Sequence, residues 1–410
     1  MLKKIVLFIT ILLLTSCASQ KQLSKKDTIS YIIQSNYYKE LNSTILNANS
    51  HKDILKHLDS HSKYLTSTDL EKFLTMTSGK FGGIGISLHI KNKLLTVIST
   101  ILNSPAKDAG IKHNDIIIQI NGTSTLGLSL EKCISLTKGK VGTFLNLTIL
   151  RKNNPIPILF SIKREYINMN PIFFQLIDNS LLYINIPTYN ATTSRELQQI
   201  LHVHSKRQGI ILDLRYNPGG ILREAISNID MFLNKGFIVK QKGRFSKYTV
   251  THNATDGGDT TTPLVILINH RSASASEIVA GTLQYYKRAT VIGEKSFGKG
   301  SVQTLFPIDY VSALKLTIAK YYLANGLCID KIGITPNIII KNKNYKIKNK
   351  NSISYDYVKS ILLKLNQNTL IPIKSSHTNY LSTSNNILSS ISIKNDSQLT
   401  RAIQFLKNNN

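Results

Sequence analysis

Residues 264–303, LVILINHRSASASEIVAGTLQYYKRATVIGEKSFGKGSVQ, constrain this chain more than any other stretch. An apolar run, Leu264–Ile268, breaks at Asn269-His270-Arg271. The small-residue turn Ser272-Ala273-Ser274-Ala275-Ser276 then opens a helical pattern near Ala275–Tyr286, and a second apolar run, Ala289–Ile292, stops at Gly293. Strand, helix and strand at this spacing imply a right-handed crossover between parallel strands. A similar unit lies upstream: a strand at Leu182–Ile186, a helical pattern at Thr193–His202 and a strand at Ile210–Leu214. The turn Arg215-Tyr216-Asn217-Pro218-Gly219-Gly220 leads from it into Ile221–Leu233, where Leu222, Ile226, Ile229 and Leu233 share one helical face. Residues 181–340 therefore read as α/β with a partly parallel sheet. Ligand sites on such sheets lie beyond the strand C-termini, where the Asn-Pro-Gly-Gly and serine turns both fall.

The residue types at those turns suggest acyl transfer. A serine hydroxyl is a poor nucleophile until a base takes its proton. A lysine serves as that base if burial lowers its pKa, because desolvation disfavours the charged form. Lys299, between Gly298 and Gly300, meets a strand-like run, so Lys299, Ser301 and Gln303 are expected on one face, with Gln303 placed to orient the amine. Unpaired N–H groups at a helix start stabilise an oxyanion. Ala275 N–H is one candidate donor, and Gly219 or Gly220 offers the second. Each of Ser272, Ser274 and Ser276 is equally readable as a helix cap.

The net charge of +28 invites a nucleic-acid reading, but Lys, Asn and Ile are abundant throughout, which is the mark of compositional bias. The lysines are scattered apart from a cluster at 343–350, and no zinc-finger or helix-turn-helix motif is present, so no nucleic-acid partner is expected. Cys133 and Cys328 fall in different segments and read as free thiols, and no spacing suits a metal site. His202 and His204 read as structural. At the N-terminus, Lys3 and Lys4 precede the apolar run Ile5–Leu14, too short for a mature spanning helix. It ends Leu14-Thr15-Ser16-Cys17, which looks like a lipobox. Residues 1–16 are then a lipoprotein signal peptide, and Cys17 becomes the lipidated first residue.

Residues 17–77 read as a linker and small helical region, with Ser67 and Asp69 offering capping chemistry before Leu70, Phe73 and Leu74. Residues 18–50 are only weakly helical in pattern. Residues 78–165 run strand, short helix, strand with Asn121-Gly122, helix, strand, and closely resemble a PDZ domain. Such domains add a peptide strand to a sheet edge and hold its carboxylate on a glycine-rich nest, here Gly83, Ile84, Gly85 and Ile86. Residues 166–340 are the α/β core, with a long polar loop at 245–262. Residues 341–410 are basic and partly flexible, with a short apolar helix near 357–365 and an amphipathic helix at Gln398–Lys407.

The chain resembles the C-terminal processing (tail-specific) peptidases. The segments that carry the likeness are LDSHSKYL, GKFGGIGI, SPAKDAGIKHNDIIIQINGT, ILDLRYNPGG, SASASEIVAGTLQYYKRATVIGEKSFGKGSVQ, LKLTIAKYYLANG, IGITPN and QLTRAIQFL, in the family's order. The resemblance implies an α/β protease core with a partly parallel sheet, an inserted PDZ domain of the α+β class and a small N-terminal helical region. It implies a serine endopeptidase with Ser274 as nucleophile, Lys299 as base and Gln303 in support. The oxyanion donors would be the amides of Ala275 and of Gly219 or Gly220. No metal or organic cofactor is called for. Partners would be proteins with exposed apolar C-termini, the membrane through Cys17, and a possible second copy or adaptor protein. Lipidation is not general to the family; it is the lipobox, with Ala18 after Cys17, that puts the expected location at the cell envelope, lipid-anchored and extracytoplasmic, at the outer membrane facing the periplasm in a two-membrane bacterium. The alternative is a non-catalytic PDZ adaptor. The chain departs from the family pattern at His270-Arg271, often smaller residues, and at Asn337, where Asp is usual after Thr-Pro.

Overall fold

The computed structural model describes residues 24–168, 172–341 and 396–408. Cys17 and the short helix expected near 357–365 lie outside the described residues. Helices α1 (Lys25–Asn36), α2 (Ser43–Leu46) and α3 (His51–Lys56) come first, and Ser24, Asn42 and Ser50 cap them by accepting from backbone N–H groups. The weak helix expected at 18–50 becomes three turns in α1 because Ile29, Ile32, Ile33 and Asn36 recur at helical spacing and are buried. After β1 (Lys63–Leu65) comes α4 (Ser67–Ser78). Its cap sits one residue before Ser67: Thr66 Oγ1 accepts from Asp69 N–H at 3.3 Å and donates to the Asp69 carboxylate at 3.0 Å.

The next elements are β2 (Lys80–Gly83), β3 (Ile86–Lys91), β4 (Leu94–Thr100), α5 (Pro105–Asp108), β5 (Ile116–Ile120), β6 (Thr123–Ser124), α6 (Leu130–Thr137), β7 (Phe144–Arg151), β8 (Asn154–Lys163) and β9 (Glu165–Asn168). The sheet order is β3-β4-β5-β7-β8 with β6 on β5, and β2 pairs β9. Ile84, Val97, Ile117, Cys133 and Leu147 fill its core. β3 and β8 are the two ends of that order. Of the four expected nest residues, Gly83 ends β2, Ile84 is buried in the core, Gly85 turns at φ +78°, and Ile86 starts β3. A Cβ on Gly85 would stand 2.3 Å from the Ser104 side chain, so packing as well as turning requires glycine there.

The chain continues through β10 (Phe173–Ile177), β11 (Leu181–Asn185), α7 (Thr193–Val203), β12 (Gly209–Asp213), α8 (Leu222–Asp230), β13 (Phe237–Gly243) and β14 (Val250–Asn253). Then follow β15 (Leu264–Ile268), α9 (Ala275–Tyr285), β16 (Thr290–Gly293), β17 (Ser301–Pro307), β18 (Ala313–Leu323), β19 (Ile338–Ile339) and α10 (Ser397–Asn408). One sheet runs β10-β11-β12-β15-β16-β19, antiparallel at β10 and parallel from β11 onward. All residues of β12 and β15 are buried, as the unbroken apolar runs of a covered parallel sheet require. Leu399, Ala402 and Leu406 of α10 pack into the cluster that holds Ile211, Val265, Leu267 and Ile292.

A second sheet has the order β1-β18-β13-β14, with β17 also on β18. Ile29, Ile33, Tyr37 and Ile54 pack there with Leu314 and Leu316. Its strand β14 lies within the polar stretch expected as loop, paired with β13 through residues that no apolar alternation marks. The chain thus forms two compact units. One holds Phe237–Asn253, Lys299–Ile332 and the described residues up to Phe73; the other holds Leu74–Gly236, Ala254–Gly298 and the described residues from Gly333. The span expected as one core, 166–340, contributes to both. Among the described residues no helix is long and apolar enough to cross a membrane.

Candidate active site

The serine turn joins β15 to α9 within the larger unit. Ser274 adopts φ 57°, ψ −116°, a conformation that costs a non-glycine residue roughly 1–3 kcal/mol and persists only when its surroundings enforce it. Glu277, fully buried one turn into α9, does the enforcing. Its Oε2 accepts from Ser274 N–H at 2.8 Å, and its Oε1 accepts from Ser296 Oγ at 2.6 Å and Gly298 N–H at 2.7 Å. One carboxylate therefore holds the serine turn and the Phe297-Gly298 segment together, and Lys299 is the next residue in the chain. Phe297 N–H also donates to Ser272 O at 3.0 Å.

The three serines have different surroundings. Ser272 Oγ donates to Leu214 O at 2.8 Å and accepts from Asn269 N–H at 2.9 Å. Ser276 Oγ donates to Asn217 O at 3.1 Å. Both are fully buried and brace the serine turn against the end of β12. Ser274 has no such bond to the β12 turn and sits at the start of α9, where the helix N-terminus is electropositive.

Asn217 shapes the opposing turn. Its Nδ2 donates to Ile186 O at 2.7 Å, its Oδ1 accepts from Gly219 N–H at 2.8 Å, and its carbonyl accepts from Ala273 N–H at 2.9 Å. Gly219 stands at φ +101°; a Cβ there would lie 2.8 Å from Ala273 O, 2.9 Å from Ser274 Cβ and 3.0 Å from Ala275 N. Only glycine leaves that space over the Ala275 amide open. Gly220 pairs with Tyr189, whose N–H donates to Gly219 O at 3.0 Å and whose carbonyl accepts from Ile221 N–H at 2.8 Å. Ser274, Ala275, Gly219 and Gly220 are thus brought together.

Sequence reasoning missed the ion network below this turn. Arg215 Nη2 donates to Asp213 Oδ2 at 2.6 Å, and Arg215 Nη1 to Asp396 Oδ1 at 2.8 Å and Gln398 Oε1 at 3.1 Å; Tyr183 Oη donates to Asp213 Oδ2 at 2.8 Å. Burial opposes the charge on Asp396, but the Arg215 guanidinium outweighs it and holds the carboxyl below the usual range. The alternation of Asp213 and Arg215 at a strand end was the available signal; Asp396, some 180 residues on, carried none. Glu277 was also missed, though its place three residues after Ser274 is that of a capping-box glutamate.

In the other unit Lys299 and Gly300 precede β17, which begins at Ser301, so the lysine lies just before the strand rather than in it. Gly300 N–H donates to Asp330 Oδ1 at 3.3 Å, and Tyr321 N–H to Gly300 O at 2.8 Å. Gln303 Nε2 donates to Ser301 Oγ at 2.8 Å and to Thr317 Oγ1 at 3.2 Å, which puts Gln303 and Ser301 on one face as expected. Burial, with the positive charge of Lys299, lowers the His61 pKa. In the larger unit, Asn337 keeps the acceptor that an aspartate would supply: its Oδ1 takes Val291 N–H at 2.8 Å and Gln284 Nε2 at 3.0 Å.

Comparison with known proteins decides the family. A peptidase family S41 model matches residues 180–340, and a PDZ domain model matches 74–150. A carboxy-terminal-processing protease of Bartonella bacilliformis is 38% identical over 328 residues, 78% of this chain and 75% of that protein. The chain belongs to peptidase family S41. This S41 serine peptidase is also 34% identical to the carboxy-terminal processing protease CtpA of Bacillus subtilis, over 76% of this chain and 68% of the relative. A solved putative S41 protease from Bacteroides fragilis shares the fold at TM-score 0.53 and 14% identity, covering 93% of this chain and 97% of that one.

Proposed function

We propose that this S41 peptidase is an endopeptidase with a Ser274/Lys299 dyad, acting on envelope proteins recognised through their C-terminal tails. The observation that carries the reading is the division of labour among the serines. Ser272 and Ser276 spend their hydroxyls on β12-turn carbonyls, whereas Ser274 sits on a strained strand-to-helix turn beside a glycine-walled helix N-terminus. Ser274 Oγ attacks the scissile carbonyl carbon while Lys299 Nζ takes its proton. The Ala275 amide donates to the oxyanion. Gly219 N–H is committed to Asn217 Oδ1, which favours the Gly220 amide as the second donor. Collapse expels the amine, protonated by Lys299, and water then releases the acyl group. Gln303 holds the lysine amine.

The PDZ domain supplies substrate choice by taking an apolar tail on the β3 edge, with its carboxylate against Gly83–Ile86. It also gates the site. Cys17 carries a lipid anchor, which puts the enzyme outside the cytoplasm. Mass mapping after treatment with a fluorophosphonate tests the nucleophile. The adduct is expected on the peptide containing Ser274 and is expected to be lost in Lys299→Ala; an adduct on Ser272 or Ser276 overturns the assignment.

A further inference from the structure

Asp59 lies far from the serine turn in sequence, yet it sits in the same compact unit as Lys299 and Gln303. Its carboxylate collects three donors: His61 N–H at 2.9 Å and Thr317 Oγ1 at 3.0 Å on Oδ1, and Ser62 Oγ at 2.7 Å on Oδ2. Burial opposes its ionisation, and these bonds outweigh burial and keep the carboxyl below its usual range. Ser62 Oγ in turn accepts Thr317 N–H at 3.0 Å. The Asp59–Ser62 turn therefore grips Thr317 twice, by its amide and by its hydroxyl.

Thr317 sits at an irregularity of β18. The β17 register steps from Val302↔Ala319 to Gln303↔Thr317, leaving Ile318 extra. Such bulges re-aim side chains. β1 follows β18 only as far as Lys63↔Lys315, so beyond it Ser62 and Tyr38 take the Thr317 N–H and carbonyl.

A hydroxyl has one proton. Because Thr317 Oγ1 gives its proton to Asp59, it can only accept from Gln303, and it takes Nε2. Ser301 Oγ takes the same nitrogen. An amide whose nitrogen is bound this way has its orientation settled by the network, with Oε1 turned away from Thr317 and Ser301. We infer that Asp59 is a positioning residue for the peptidase reaction: through Thr317 it sets the flip of the Gln303 amide so that Oε1, and not Nε2, meets the lysine amine. A flipped amide would aim N–H groups at a group that is itself a donor. This rests on the Lys299/Gln303 reading above.

The experiment is steady-state kinetics of the full chain on an internally quenched, unstructured peptide with an apolar C-terminus, with thermal melts beside it. Thr317→Val, which keeps the shape and removes the hydroxyl, is expected to lower kcat about tenfold with KM unchanged, and Thr317→Ser to restore it. Asp59→Asn is expected to lower kcat similarly. In a Gln303→Ala background Thr317→Val is expected to cost nothing further, because the relay acts only through Gln303. Unchanged kcat in Thr317→Val, no rescue by Ser, or full additivity with Gln303→Ala overturns the inference. Lys299→Ala is run alongside: activity surviving in it sinks the dyad, whereas an inactive Lys299→Ala with an unaffected Thr317→Val sinks only the relay.

Discussion

Glu277→Gln is the perturbation that separates packing from strain. The carboxylate serves three donors, two on Oε1 and one on Oε2. An amide keeps one oxygen. Its best placement leaves Ser296 and Gly298 satisfied and sets an NH2 against Ser274 N–H, donor facing donor. The lost charge-assisted bond is worth about 1.5–3 kcal/mol, and a buried unsatisfied N–H adds about 1–3 kcal/mol. Together they predict a destabilisation of about 2.5–6 kcal/mol and a melting temperature at least about 5 °C lower. The same bond holds Ser274 at φ 57°, ψ −116°. Releasing that strain, roughly 1–3 kcal/mol, is expected to lower kcat about 10- to 100-fold with KM little changed. Scanning calorimetry and peptide-cleavage kinetics read the two effects separately. A variant that melts lower but keeps wild-type kcat would refute the argument that the enforced backbone of Ser274 is what the reaction uses.

Three further outcomes are expected. Gly219→Ala forces an L-residue to φ +101° and puts a methyl within 3.0 Å of Ala275 N, so kcat/KM should fall by about 100-fold or more in a protein that remains folded by circular dichroism. Leu406→Ala in α10, at 1% exposure in the wild-type chain, should cost about 2–5 kcal/mol by denaturant titration. The Asp396 carboxyl titrates below its ordinary value of about 3.9, so its pairing with Arg215 stabilises the fold above that pH and is lost as pH falls through the folded-state pKa. Acid melts of Asp396→Asn should lack that loss below about pH 4.

The strands and helices around the serine turn were legible because buried parallel strands are unbroken apolar runs: Leu264–Ile268 and Ile210–Leu214 announce β15 and β12. The Asn-Pro-Gly-Gly and serine turns were legible because small residues and glycines mark strand ends. What the sequence hid were partnerships over distance. Asp396 meets Arg215 and Asp59 meets Thr317 through a carboxylate whose local context suggests an ordinary turn or cap. β14 escaped notice because Val250–Asn253 pairs with β13 while staying largely exposed, so no hydrophobic alternation forms. Among the candidate serines, the burial of Ser272 and Ser276 against backbone carbonyls is a property of the fold that spacing could not show.

One digestion tests the central claim most directly. The protein from residue 18 onward is incubated with an unstructured substrate bearing an apolar tail, beside Ser274→Ala and Lys299→Ala, and the products are mapped by mass spectrometry. The dyad predicts internal cleavage by the wild type and none by either variant. Cleavage that survives in either variant would contradict it.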